Sequence, residues 1–550
     1  MIAAVVLALY SATGQAAPDA APPVSLEQET RPMRFGFDDA GSGGSLHLQP
    51  WGARMVQEFG FDLWVQHAND EKTVAGTIDG IRQVDAWAGA NNLSVVRNLE
   101  GPNWIKEWID DQGRDWFNHP DGRHFQRYPE EIIAELGRCS HLLGVMYDEV
   151  EHMQNCRNMI ANGNVPWKPW VYDPAGDRLE DAADRFTEAV RELADTYAEH
   201  GVPLFTEHVF PVLFHGFARG GWTATPKILK ESWSPVYIAC AMGAALQYGT
   251  EFWVTPDLWG VSGYPGHSVD EYRSALLLAY HMGADAVYTE NLAYDDEGKG
   301  KGSLILVTGD DYRVTEYGEV TKWFRHEYMP ENPRRYSFRD VRPRVAIVRR
   351  PDACWGQATS WLGDRLFGND DWPSTPTTEA WLGIWHLLTR GVVPVDGLSW
   401  HTAVAHPGRP QQVFCPLDGV VVYDDRVGAE RLEGVELIFL TGLGVSAPTL
   451  EAVAGCVREG ATCIALPHLL PEDVRGETGD DGTLADGEGR WIAAPTFLAP
   501  HVRKAVTPFL PPFDTIRYRF GDTEVRFRTV DGDPNRLAVS LRDLTGGADG

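Results

Sequence analysis

Two consecutive acids, Asp148-Glu149, close the run Leu142-Leu143-Gly144-Val145-Met146-Tyr147. The run is apolar and suited to a strand, where charge is costly in the interior, so a carboxylate pair at its C-terminal tip is placed for chemistry. Comparable tips recur along the first half of the chain: Asp38-Asp39, His67, Arg97-Asn98, Glu207-His208, Asp257 and Glu290-Asn291. Paired carboxyl groups can act as proton donor and as nucleophile or base, the two roles that breaking a glycosidic bond requires.

Glu149, at the tip of the best-defined strand, is the candidate general acid/base. Glu290, in the context Tyr288-Thr289-Glu290-Asn291, is narrowly preferred for the second role, with Asp257, Glu207 and Glu231 as further candidates. Trp64, Trp104, Trp253, Trp259 and Tyr288 could offer flat faces to a sugar ring, although a tryptophan more often belongs to a core. Asp38, His67, Arg97, Asn98, His152, His208 and Asn291 are candidates for binding hydroxyl groups. The spacing Glu149-x-x-His152 occurs in carboxylate-bridged metal sites, but those need the motif twice on a helical bundle and here it occurs once. The His-Glu-x-x-His, Walker and dinucleotide fingerprints are absent, so neither a metal nor a cofactor is expected.

Positioning these residues calls for eight strand–helix alternations over the first ~330 residues, a (β/α)8 barrel whose catalytic face is the C-terminal end of its strands. The expected strands are 34–37, 61–67, 93–98, 142–149, 203–208, a weaker 227–233, 251–257 and 286–291. Helical faces are legible in Val74, Ile78, Ile81 and Ala88, and in Phe186, Val190, Leu193 and Tyr197. Ser268 with Glu271 forms a capping box, and Gly283 ends that helix. The stretch 210–221, rich in glycine, has no clear assignment. A linker at 330–335 precedes a doubly wound α/β domain with strands expected at 345–348, 392–395, 420–423, 437–440 and 463–466. The alternation Ile516, Tyr518, Phe520, then Val525, Phe527, predicts a small β module. The expected division is a signal peptide at 1–17, a Pro-rich leader at 18–32, the barrel at 33–329, the α/β domain at 343–510 and the β module at 511–550.

The formal net charge of −30 argues against nucleic acid or an anionic membrane surface as partner and favours a neutral substrate. The apolar start Met1–Tyr10, followed by Gly14-Gln15-Ala16, has the form of a cleavable leader, so a secreted or periplasmic protein is expected. No later segment offers the ~18 uninterrupted apolar residues of a membrane helix. Seven cysteines without a Cys-x-x-Cys pair make no disulfide framework; one bridge, Cys139 to Cys156, and buried free thiols are equally compatible readings.

The layout resembles family-42 β-galactosidases and related barrel enzymes, in which an amidotransferase-like domain follows the barrel. The resemblance rests on Glu149 after strand four and on Gly434-Val435-Glu436-Leu437-Ile438-Phe439-Leu440-Thr441-Gly442-Leu443 in the second domain, and it spans about 500 residues. It implies a glycoside hydrolase acting on a carbohydrate, with its second carboxylate after strand seven, which points to Asp257. These families carry Asn-Glu after strand four, where this chain has Asp148-Glu149. An adjacent Asp-Glu resembles hexosaminidase-like barrels, in which the Glu protonates the leaving group while the Asp orients a substrate acetamido group; adjacent residues of a strand point to opposite faces, so this alternative works only if the pair lies on the loop. Cys415 lies in Val413-Phe414-Cys415-Pro416-Leu417 and not in a Gly-x-Cys-x-Gly elbow, so the second domain is expected to serve packing or self-association. A non-catalytic carbohydrate-binding barrel and a polysaccharide lyase are the alternatives.

Overall fold

In the computed structural model, eight parallel strands follow one another around a closed barrel. They are β1 (Arg34–Asp38), β2 (Leu63–His67), β3 (Ser94–Asn98), β4 (Leu142–Asp148), β5 (Leu204–His208), β6 (Thr223–Leu229), β7 (Trp253–Asp257) and β8 (Ala286–Thr289). The β8 strand pairs back onto β1, with Arg34 opposite Ala286. The structure describes residues 32–40, 45–68, 73–99, 127–150, 154, 171–172, 174, 176–208, 211–229, 233–258, 266–294, 302–351, 372, 376–395, 412–479 and 482–545. All of them belong to one compact unit, Pro32–Gly550.

Alternation along the strands divides the barrel's residues into two sets. Leu63, Val65, Val96, Met146, Phe205, Trp253, Ala286 and Tyr288 form a separate apolar cluster that fills the barrel. The intervening residues, Phe35, Phe37, Trp64, Val95, Val145, Tyr147, Leu204, Val254 and Val287, join the large core beneath the helices. A parallel sheet buried on both faces must be apolar almost throughout, which confines charge to strand ends.

The helices are α1 (Gly52–Phe59), α2 (Val74–Ala90), α3 (Glu130–Leu136), α4 (Leu179–Ala198), α5 (Phe214–Arg219), α6 (Ser234–Tyr248), α7 (Val269–His281) and α8 (Glu316–Trp323). Helix α7 opens with the expected capping box, Ser268 and Glu271 each bonding the other's backbone N–H. In α4, Phe186, Val190, Leu193 and Tyr197 are buried. The glycine-rich stretch without an assignment contains α5. A Cβ at Gly216 would come within 2.8 Å of the Phe186 ring, so the glycine serves close packing of α5 on α4 rather than a loop. Strand six runs Thr223–Leu229, earlier than expected, because Lys227 belongs inside it.

Beyond the barrel, β9 (Ala293–Tyr294), β10 (Ile305–Thr308) and β11 (Asp311–Val314) form a small sheet. The second large sheet holds β12 (Val345–Arg349), β14 (Val420–Asp424), β15 (Leu437–Thr441), β16 (Thr462–Ala465), β17 (Thr483–Asp486) and β18 (Gly489–Ala493). Their order is β14-β12-β15-β16-β18-β17, a doubly wound arrangement with one antiparallel edge. No strand forms at 392–395, where the chain follows a turn after Arg390 and Gly391, both in left-handed conformation. The final sheet joins β13 (Leu417–Asp418) to β19 (Thr515–Phe520), β20 (Thr523–Val530) and β21 (Asp533–Asp543). Its first strand comes from residues ahead of β14, so the tail does not stand alone. Helix α6 packs against β14 so closely that a Cβ on Gly243 would meet the Val422 carbonyl oxygen. Among the described residues, no helix is long and apolar enough to cross a membrane.

Candidate active site

Every strand of the barrel delivers one inward-facing polar side chain to its C-terminal end: Asp38, His67, Asn98, Asp148, Glu207, Lys227 and Asp257 from β1 to β7, and Glu290 immediately after β8. All are buried except the partly exposed His67. Closure of the sheet makes them converge. The Lys227 ammonium stands at their centre, with Nζ 2.9 Å from Glu290, 3.2 Å from Asp148, 3.3 Å from Glu149 and 3.6 Å from Glu207.

Asp148 and Glu149 reach the same ammonium although they are neighbours in sequence. Asp148 is the last residue of β4, and Glu149 lies just past it in the left-handed region, φ 49°. That turn swings its side chain to the face that simple alternation would deny it, while its N–H still donates to the Glu207 carbonyl at 2.8 Å. Leu229, two residues past Lys227 (φ 77°), and Asn291, next after Glu290 (φ 74°), also take left-handed conformations. Such conformations cost roughly 1–3 kcal/mol each for residues other than glycine and are held by their surroundings. Asp257 and Glu290 are joined by an isolated parallel bridge, which places the tips of β7 and β8 side by side.

A hydrogen-bonded wall closes the β1–β4 side. His67 Nε2 sits 2.8 and 2.9 Å from the two Asp38 carboxylate oxygens. Asn98 Nδ2 donates to both Asp38 and Asp148, each at 3.3 Å. Asp39, one residue further, accepts the His67 backbone N–H, and burial pushes its carboxyl up to about 7, Asp38 adding to the effect and His67 opposing it.

Electrostatics separate the members of the cluster. Burial alone would lower the Lys227 pKa, but Asp148, Glu290, Glu207 and Glu149 together outweigh it, so the amine is held as a cation well above its usual range. Burial raises Glu207 to about 7, with Lys227 opposing and Asp38 and Asp257 reinforcing. Tyr288, beneath the acids, is pushed well above the usual phenol range by burial and by Glu207.

Several sequence candidates lie elsewhere. Trp64 faces the helices and packs edge-on against Trp87 at 5.3 Å. Arg97 also points outward, donating to Tyr128 at 2.8 Å and Gln66 at 2.9 Å. His208 leaves the mouth to lie 4.3 Å from the Phe214 ring. Trp253 and Tyr288 point inward but fill the barrel below the acids; Trp253 Nε1 donates to Glu251 at 2.6 Å and the Tyr288 hydroxyl to Met146 Sδ at 3.4 Å. In each strand the residue one step from an inward acid faces out, so tip position alone does not select the mouth. Asn291 is buried in the left-handed turn that follows Glu290. Trp104, His152, Trp259, Glu231 and the leader lie outside the described residues. Lys227 is the site residue that sequence reasoning missed. Its signal was a lone charge inside a strand, hidden by starting that strand at the lysine. Among the described residues no cluster of three or more His, Cys, Asp or Glu side chains has the geometry of a metal site. Cys139 is a free thiol, and Cys415 is fully buried, its pKa driven up by burial.

No known family's sequence profile matches this chain, and no curated protein sequence matches it. Solved structures do. The β-galactosidase of the psychrophilic Marinomonas ef1 aligns over 90% of this chain and 95% of its own, at TM-score 0.56 and 10% identity. An exo-β-1,4-mannosidase from Opitutaceae bacterium strain TAV5 aligns over 94% and 86%, at TM-score 0.46 and 12% identity. The likeness to the β-galactosidase shows a shared fold over nearly the whole of both chains.

Proposed function

We propose that this chain is a glycoside hydrolase that cleaves an oligo- or polysaccharide at the barrel mouth, with Glu149 as acid/base and Glu290 as nucleophile. The observation that carries the reading is the meeting of these two carboxylates on one ammonium. Their nearest oxygens can be no further apart than the two contacts combined, about 6.2 Å, closer than the ~6.5–9.5 Å that leaves room for an attacking water and near the ~5–5.5 Å of retaining enzymes. Glu290 would attack the anomeric carbon while Glu149 protonates the departing oxygen; Glu149 would then deprotonate the water that releases the sugar. The β-galactosidase fold supports the same reading. A cationic Lys227 argues against an imine-forming lysine, which needs a lowered pKa.

A surplus of carboxylates over cations at the mouth favours a neutral sugar over an anionic one. The apolar start and small-residue motif at 14–16 support a secreted or periplasmic setting, and the second domain is the surface through which copies of the chain would associate. Substrate-assisted cleavage has one observation in its favour: Asp148 and Glu149 both face the mouth. In that case only N-acetylhexosaminides would be good substrates.

The test is turnover of a panel of aryl glycosides by the wild type and by Glu149→Gln, whose amide keeps the shape but cannot give a proton. Activity should fall ~10²–10⁴-fold, least for the best leaving groups, with unchanged melting. Equal turnover by both would remove Glu149 from the acid role, and an inactive wild type would refute the hydrolase reading.

A further inference from the structure

We propose that Lys227 is a positioning residue that decides which carboxylates at the barrel mouth are anionic and thereby sets the pH at which the site works. The proposal rests on the hydrolase reading for its consequence in catalysis, but its electrostatic content does not depend on it.

Lys227 lies within β6, opposite Thr255 of β7 and one inward position short of Leu229, which pairs with Asp257. Its side chain is 1% exposed; among the described residues Asp148 at the end of β4, Glu149 just past it, Glu207 on β5 and Glu290 after β8 touch it, while Asp38, His67 and Asp257 at the tips of β1, β2 and β7 and the Tyr288 phenol face the same barrel mouth. An ammonium has three N–H groups, and here it meets four carboxylates. Like charges this close cannot all ionise in a buried site, so the Lys227 ammonium bears on how many of them do.

The distances rank them. Glu290, nearest at 2.9 Å, is best stabilised as an anion, the form a nucleophile needs. Glu149 at 3.3 Å is held less strongly and can carry the proton an acid must give. Glu207, furthest at 3.6 Å, is the member that most readily keeps a proton, in keeping with a carboxyl raised by burial to about 7. Lys227 acts through these groups and need not touch the reacting atoms.

The experiment compares wild type, Lys227→Met and Lys227→Arg. With an aryl glycoside turned over by the wild type, loss of the ammonium raises the pKa of the nucleophile, so the acidic limb of kcat/KM should move up by about 1–3 pH units in Lys227→Met. Lys227→Arg keeps the charge and should hold most of the shift back. A lysine that merely fills space would lower activity and melting temperature and leave the limb in place, and that result would overturn the proposal. Melting temperature against pH provides a readout that needs no substrate. Without the ammonium the folded chain binds extra protons, so between about pH 4 and 8 stability should fall more steeply with rising pH than in the wild type. An unchanged slope overturns the proposal; a changed slope with no turnover of any glycoside leaves it standing and refutes the hydrolase reading alone. Should Lys227→Met fail to fold, Lys227→Met/Glu207→Gln, which removes one acid along with the ammonium, is compared with Glu207→Gln by the same measurements.

Discussion

Two strands of this molecule end almost alike, Val145-Met146-Tyr147-Asp148-Glu149 in the barrel and Val421-Val422-Tyr423-Asp424-Asp425 in the doubly wound sheet. Both belong to parallel sheets and both lead a pair of acids to the C-terminal edge. In the closed sheet the acids converge with those of β5 and β8 on one ammonium. In the open sheet they disperse. Asp424 takes hydrogen bonds from Gln247 and Tyr248 of α6, and its own N–H donates to Gln247 Oε1 at 2.9 Å. Asp425 lies 3.7 Å from Arg350, beside a network in which Arg219 and Arg426 hold Asp184 at 2.6 and 2.7 Å. Among the described residues, barrel closure turns the inward acids toward other strand tips, whereas the open edge recruits helices of the adjoining barrel. In this molecule paired acids at a strand end gather into one cluster where the sheet closes and not where it stays open.

The sharpest way to break this contrast is to cut the acids back in turn. Glu290→Gly should lose ~10²–10⁴-fold in turnover and be rescued by azide, giving a glycosyl azide of opposite anomeric form, because the small anion occupies the vacated space. Asp257→Gly and Glu207→Gly, made in parallel, should not be rescued. If azide rescues Asp257→Gly instead, the nucleophile belongs to β7; rescue of none, with release of the inverted sugar, would leave a water-activating base.

The open-sheet counterpart should respond in stability and not in catalysis. Asp424→Asn weakens bonds to Tyr248 and Gln247 across the two domains and should cost about 1–3 kcal/mol, with kcat/KM unchanged. Denaturant unfolding and steady-state kinetics on the same preparation check both halves. A selective loss of turnover would erase the distinction between the two edges.

A smaller effect sharpens it by pH. Asp39 has a folded pKa near 7 against an ordinary value of 3.8, so its contribution to stability is present below about pH 4 and lost as pH rises through about 7. For Asp425, raised by burial to about 6 with Asp424 adding to the rise, the same loss is complete nearer pH 6. Asp39→Asn should flatten the fall in melting temperature up to about pH 7, and Asp425→Asn only up to about pH 6. Identical profiles for both variants would contradict the assignment.

The barrel was legible because its strands are apolar on both faces and the helices between them show a 3.6-residue period, both local properties of the chain. Glu149, Glu290, Asp257, Asp148 and Glu207 were legible for the same reason: a charge that cannot lie within a buried strand is driven to its end. Short-range patterns did not reveal which tip residues enter the mouth. Trp64, Arg97 and His208 sit one step out of phase with the inward face, while Glu149 crosses to it through a single left-handed residue. The 392–395 segment looked like a strand by composition, yet the sheet formed without it, pairing β12 with strands more distant in sequence. Lys227 shows the limit most clearly. A lysine inside an apolar strand is unfavourable in every local account, and only barrel closure, by bringing β4, β5 and the tip of β8 around it, supplies the four carboxylates that make its burial stable.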